Sequence, residues 1–111
     1  MKIATHKVND ITVLDLSGRI TLGEGSVQLR ETVRDLVAKG QKKIVLNLGE
    51  VTYMDSSGVG ELVTAYTTVK NQGGELKLVN LTKKIEDLMA ITKLATVFDI
   101  HDDEAKAVAA F

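Results

Sequence analysis

Three small polar residues, Asp55, Ser56 and Ser57, lie where an apolar stretch ends and a helix-like pattern begins. The stretch 44–48 before them reads Ile-Val-Leu-Asn-Leu, which is typical of a strand buried on both faces. A serine at such a junction lies at a helix N-terminus, where unpaired N–H groups and the positive helix pole favour phosphate chemistry. Because no catalytic groups accompany it, we interpret this as a serine that receives a phosphate. The apolar residues that follow at helical spacing are Val59, Leu62, Val63, Tyr66 and Val69.

The same polar residues are also good helix caps. Aspartate and serine side chains accept hydrogen bonds from backbone N–H groups two or three residues further along a helix. We expect Asp55 to cap the helix through the N–H of Ser57 or Gly58. Capping by Asp55 leaves Ser56 exposed in the first turn, so a structural and a functional role are compatible.

Two glycines, Gly58 and Gly60, flank Val59. The missing side chains would let the surface of another protein approach the backbone closely. Val59 is then either an apolar contact for that protein or the first core residue of the helix. Its helical spacing to Leu62 and Val63 favours the core.

The segment 51–60, Val-Thr-Tyr-Met-Asp-Ser-Ser-Gly-Val-Gly, resembles the signature of STAS-domain anti-sigma factor antagonists. In that family the serine directly after the aspartate is phosphorylated by a partner kinase. The resemblance therefore implies that Ser56 is the phosphorylated residue, supported by Asp55, Ser57 and Gly58. Further segments that resemble the family are 16–20, 43–48, 71–76 and 85–94.

The resemblance implies a non-enzymatic, phosphorylation-controlled partner switch. In such a switch, an anti-sigma factor that is itself a serine/threonine kinase sequesters a sigma factor. The unphosphorylated antagonist binds this kinase and releases the sigma factor. Phosphorylation ends the interaction, and a serine phosphatase restores it. Because the kinase carries ATP and magnesium, the chain is expected to need no cofactor of its own.

A glycine-rich loop, 18–25, is expected to complete the partner surface. Family members often have an acidic residue after the first glycine of this loop, whereas Arg19 follows Gly18 here. The paired glycines Gly23 and Gly25 suggest mobility, and Ser26 is a candidate cap for the next helix. The expected partner-binding residues are Leu22, Gly23, Glu24, Gly25, Ser26, Gly60 and Glu61.

Alternating strand and helix patterns predict a single α/β, STAS-like domain over residues 1–111. The predicted sheet is mixed and mostly parallel, with an N-terminal hairpin around Asn9-Asp10 and about four helices. Strand carboxyl ends and helix N-termini meet at one edge of such a sheet, where we expect Ser56. In the order β-β-α-β-α-β-α-β-α, the predicted strands are 3–8, 11–17, 44–48, 75–79 and 96–100. The expected helix caps besides Asp55 and Ser26 are Thr82 for the third helix, Asp102 or Asp103 for the fourth, and Gly40 at the end of the first.

Composition excludes several other functions. A net charge of −1 gives no support to nucleic-acid binding, and the absence of cysteine rules out disulfides and thiol chemistry. No apolar run reaches the roughly 18 residues of a membrane span, and Met1–His6 does not lead into a signal-peptide core. We therefore expect a cytoplasmic protein without membrane insertion. His6 and His101 lie far apart in the sequence, so no metal site is predicted.

Two other functions remain open. STAS domains also serve as scaffold or accessory subunits, for example in transport machinery, and dependence of binding on Ser56 phosphorylation would distinguish that role. A small-molecule-binding module is the third interpretation, because the glycine-flanked edge could hold an anion.

Overall fold

Five strands and four helices follow one another in the predicted order, in a computed structural model that describes residues 1–111. None of the helices is long and apolar enough to cross a membrane. The elements are β1 (Lys2–Val8), β2 (Ile11–Ile20), α1 (Glu24–Ala38), β3 (Lys43–Met54), α2 (Ser56–Asn71), β4 (Glu75–Val79), α3 (Lys83–Ile91), β5 (Asp99–His101) and α4 (Glu104–Ala109).

The strands form one sheet in the order β1-β2-β3-β4-β5. β1 and β2 are antiparallel and form the predicted hairpin, in which Asn9 adopts a positive φ of 57°. Every other neighbouring pair is parallel. The predicted mixed, mostly parallel sheet is confirmed.

The two faces of the sheet carry different helices. On one face, α1, α2 and α3 cover a core of 19 buried residues that includes Ile44 and Leu46 of β3. On the other face, α4 covers a smaller cluster in which Val45 of β3 packs with Ala107. β3 is thus buried from both sides, which is why its sequence is nearly continuous in apolar residues.

Two strands are longer than predicted. β2 continues past Ser17 to Ile20, and β3 continues past Leu48 to Met54. The two extensions pair with each other, since Ile20 lies opposite Met54, with irregular register beside Gly18. This pairing joins residues more than 30 positions apart, so no local sequence pattern announces it. The predicted 18–25 loop shrinks to residues 21–23.

Most helix ends fall where the capping residues predict. Thr82 accepts the N–H of Ile85 at the start of α3, and Asp103, rather than Asp102, accepts the N–H of Lys106 at the start of α4. Gly40 has the positive φ, 82°, expected after α1. The last strand lies at 99–101 instead of 96–100.

Candidate functional site

Ser56 is the first residue of α2 and is exposed. Asp55 precedes it in an extended conformation, and its Oδ1 accepts the backbone N–H of Gly58 at 2.9 Å. Of the two donors expected for this cap, Gly58 is therefore the one used. Ser57 is half-buried. The arrangement presents the exposed hydroxyl of Ser56 at the positive end of a 16-residue helix.

Gly58 is needed for packing inside the protein. A Cβ at this position would lie 2.2 Å from the carbonyl oxygen of Ile20 and 2.6 Å from Cγ of Met54. The expectation that Gly58 opens the backbone to another protein is wrong, because the ends of β2 and β3 already occupy that space. Gly60 is exposed, and a Cβ added to it would meet no other atom within 4 Å. Val59 lies in the core as predicted.

The expected partner loop is largely a helix start packed on β2. Gly25 is buried, and a Cβ on it would approach the carbonyl oxygen of Arg19 to 2.8 Å. Ser26 is also buried and donates its hydroxyl to the carbonyl oxygen of Thr21 at 2.8 Å, so it does not cap α1. Of the expected partner-binding residues 22–26, those that face solvent are Leu22, Gly23 and Glu24.

Glu61 does not face solvent either. Its side chain is 8% exposed, and both carboxylate oxygens accept hydrogen bonds from Arg30 of α1, at 2.9 and 3.0 Å. The same hydrogen bonding raises the pKa of Arg30. Sequence reasoning missed Arg30, which lies 31 positions away. The one available signal was an acidic residue adjoining the apolar stripe of α2.

The surface beside the start of α2 is partly apolar. Arg19 stacks its guanidinium 4.8 Å from the ring centroid of Tyr53, which is 43% exposed. A groove of about 330 Å³ lies next to Tyr53, between the end of β3 and α3. Ile91, 78% exposed, lines one side of this groove.

The sequence profile of the STAS domain matches residues 2–107 of this fold. The chain belongs to the STAS domain family. The anti-sigma-B factor antagonist of Bacillus subtilis is 40% identical to this STAS domain over 92 residues, which are 83% of the chain and 82% of the relative. This relative places the chain among the anti-sigma factor antagonists, as the resemblance implied.

Solved structures agree with the fold of this STAS domain. The Thermotoga maritima protein TM1081 is 26% identical with a TM-score of 0.89, covering 97% of this chain and 92% of its own. The Bacillus protein SpoIIAA in its phosphorylated form is 20% identical with a TM-score of 0.74, covering 98% of both chains. Anti-sigma factor antagonists are non-enzymatic regulators, which agrees with the class of function predicted for this STAS domain.

A second cluster of polar residues lies on the α4 face of the sheet. His6 Nδ1 is 2.7 Å from Asp15 Oδ2, and His6 Nε2 is 3.1 Å from Glu104 Oε1. The hydrogen bond with Glu104, followed by that with Asp15, raises the pKa of His6. Sequence reasoning missed this cluster because Glu104 is separated from His6 by 98 positions.

Proposed function

We propose that this STAS domain is a partner switch controlled by phosphorylation of Ser56. Unphosphorylated, it binds an anti-sigma factor that is a serine/threonine kinase and makes that kinase release its sigma factor. Phosphorylation of Ser56 ends the interaction, and a serine phosphatase restores it. The observation that carries the proposal is the exposed Ser56 hydroxyl at the start of α2, in a chain that belongs to the antagonist family.

The position of Ser56 suits a phosphate. A phosphoserine adds about −1.5 to −2 charges and three strong acceptor oxygens. The unpaired N–H groups and the positive pole of α2 stabilise such a charge. The carboxylate of Asp55, next to Ser56, accepts a hydrogen bond from the N–H of Gly58 and so keeps the start of α2 capped. Phosphorylation therefore acts through bulk and charge at the partner surface and leaves this domain folded.

The partner surface combines exposed residues with buried ones that shape it. Leu22 is 80% exposed, a large apolar side chain that a partner would cover. Gly25 and Ser26 hold this segment against β2 from inside, and Glu61 ties α2 to α1 through Arg30. The direct contacts proposed beside Ser56 are Leu22, Gly23, Glu24 and Gly60.

The experiment compares four forms of the chain: wild type, Ser56→Ala, Ser56→Asp and Ser57→Ala. Each is used to capture partners from a lysate of the source organism, and captured proteins are identified by mass spectrometry. We expect one serine kinase with wild type, Ser56→Ala and Ser57→Ala, and much less of it with Ser56→Asp. Incubating the captured kinase with ATP should phosphorylate wild type and Ser57→Ala, with no phosphate on Ser56→Ala.

Equal capture of one partner by all four forms would contradict a switch at Ser56 and favour a scaffold or accessory subunit. Phosphate on Ser57 in place of Ser56 would contradict the assignment of the modified residue. Saturable nucleotide binding by the isolated domain would instead favour a small-molecule module.

A further inference from the structure

Three side chains that could bind a metal converge on the sheet face covered by α4. They are His6 of β1, Asp15 of β2 and Glu104, the first residue of α4, and they are called the His6 cluster below. One donor atom from each lies within 4.8 Å of the donor atoms of the other two. Three separate elements thus supply the cluster, and its geometry depends on the complete fold.

We propose that the His6 cluster binds a divalent transition-metal ion of the zinc type. The donor set is one imidazole nitrogen and two carboxylate oxygens, with no thiolate in the chain. Imidazole favours zinc and its neighbours over magnesium or calcium, and zinc accepts histidine and carboxylate together. Three protein ligands leave a fourth position for water.

Asp15 is already oriented by hydrogen bonds behind it. Its Oδ1 accepts from Nδ2 of Asn47 at 2.9 Å, which leaves Oδ2 facing His6. The Oδ1 of Asn47 accepts in turn from Nδ2 of Asn80 and from the N–H of Gly49, both at 3.1 Å. Outer hydrogen bonds of this kind hold a carboxylate ligand in place for its metal.

The charge and the exposure of the cluster both suit an ion taken up from solution. Two carboxylates flank one imidazole, Asp15 beside Nδ1 and Glu104 beside Nε2, so acidic groups outnumber the imidazole at this site. A divalent ion would bind one ring nitrogen and the carboxylate beside it, and the other carboxylate would turn toward the ion. The three side chains are 43%, 37% and 35% exposed, so an ion can enter without unfolding the protein.

Bound metal would fasten α4 to the β1–β2 hairpin. α4 has only six residues, and Glu104 at its start reaches His6 across the sheet face. A ligand that binds the folded but not the unfolded chain raises the unfolding temperature. The proposal is independent of Ser56 and of the kinase.

The first experiment titrates the untagged chain of residues 1–111 with Zn²⁺ by calorimetry at neutral pH. His101 is the only other histidine, so His101→Gln is the matched control for His6→Ala. We expect one site per chain in wild type and in His101→Gln. His6→Ala should lose more affinity than the roughly 10–100-fold typical of a lost outer-shell partner. Absence of saturable binding by wild type, or unchanged binding by His6→Ala, would overturn the proposal.

The second experiment follows thermal unfolding by circular dichroism with and without Zn²⁺. The melting temperature of wild type should rise with Zn²⁺ and return after chelation, while that of Glu104→Gln should not respond. The spectrum of each variant without metal checks that it is folded. An equal rise in the melting temperature of Glu104→Gln would place the ion elsewhere and overturn the proposal. A calorimetric titration of wild type with Mg²⁺ that gave the same affinity as Zn²⁺ would also overturn it.

Discussion

A Cβ on Gly58 would lie 2.2 Å from the carbonyl oxygen of Ile20. The first turn of α2 therefore packs directly against the end of β2. This contact fixes the position of Ser56 at the edge of the sheet. The glycine of the Asp-Ser-Ser-Gly element is needed for this close approach of helix and strand backbones. Under the proposed function, the phosphorylated residue Ser56 is therefore held in position by a contact that only a glycine at position 58 allows.

Gly58→Ala should destabilise the domain, whereas Gly60→Ala should not. The alanine methyl at 58 meets backbone and the Met54 side chain, and overpacking of this kind costs about 1–3 kcal/mol. At 60 nothing lies within 4 Å, so alanine should gain roughly 0.5–1 kcal/mol of helix stability. Urea unfolding of both variants measures this, and equal midpoints would contradict the packing role of Gly58. Under the proposed function, Gly60→Ala should bind the kinase less well despite its greater stability.

Asp55→Ala should remove the cap of α2. The side-chain bond to the N–H of Gly58 is lost, which costs about 1 kcal/mol for a typical N-cap. Asp55→Asn is the control, because its amide oxygen can still accept that N–H and should stay within a few tenths of a kcal/mol. Chemical unfolding of the three proteins gives the comparison. Equal loss in both variants would show that the charge of Asp55 matters more than its hydrogen bond.

Ser56→Asp should be as stable as wild type or slightly more stable. A carboxylate in the first turn of a helix gains about 0.3–1 kcal/mol from the helix dipole at low salt. Ser56→Asn has the same shape without the charge, so the difference between the two variants isolates the electrostatic part. Thermal unfolding at low and high salt should show that difference shrinking as salt increases. A large loss of stability in Ser56→Asp alone would contradict a switch that leaves the domain folded.

Local sequence signals predicted the element order and most of the helix caps. Asp55, Thr82 and Asp103 each act on an N–H three residues ahead, so the capping pattern is contained in a few consecutive residues. The apolar run of β3 is likewise a signal within a few consecutive residues, and it correctly predicted a strand buried on both faces. The position of Ser56 at the sheet edge then followed from the topology of parallel strands.

Contacts between distant residues could not be predicted in this way. The paired extensions of β2 and β3, the Arg30–Glu61 ion pair and the His6 cluster all join elements far apart in sequence. Glu61 was therefore predicted to be a partner-binding residue, although the packing of α1 against α2 buries it beside Arg30. Which face of a helix is buried can be predicted only when the elements that pack against the helix are known.

The Arg30–Glu61 pair gives a prediction of its own. Arg30→Met should lower stability because it leaves the carboxylate of Glu61, 8% exposed, buried without its partner. The double variant Arg30→Met/Glu61→Met should recover most of that loss, since it removes both charges and keeps apolar volume. Urea unfolding of both single variants and the double variant measures the coupling. Additive losses would show that the two side chains do not depend on each other.

Lys77 and Asp99 predict how stability changes with pH. Lys77 in β4 is almost fully buried and bonds Asp99 in β5, and His101 Nε2 lies 3.0 Å from the same carboxylate. The Lys77 hydrogen bond, together with His101, lowers the pKa of Asp99 below its usual value of 3.8. The folded protein thus binds this proton less tightly than the unfolded chain. The resulting stabilisation is complete above the unfolded pKa and is lost as the pH falls through the folded pKa.

Asp99→Asn tests this link between protonation and stability. At pH 6 the variant should be less stable than wild type. This difference in stability should narrow as the pH falls below about 4, because Asp99 in wild type is then protonated and, like asparagine, uncharged. Asp35→Asn is the control, since Asp35 is exposed and forms no ion pair. Urea midpoints at several pH values between about 6 and 3 give the curves. A gap that stays constant with pH would show that Asp99 stabilises the sheet edge by its shape, with no contribution from its charge.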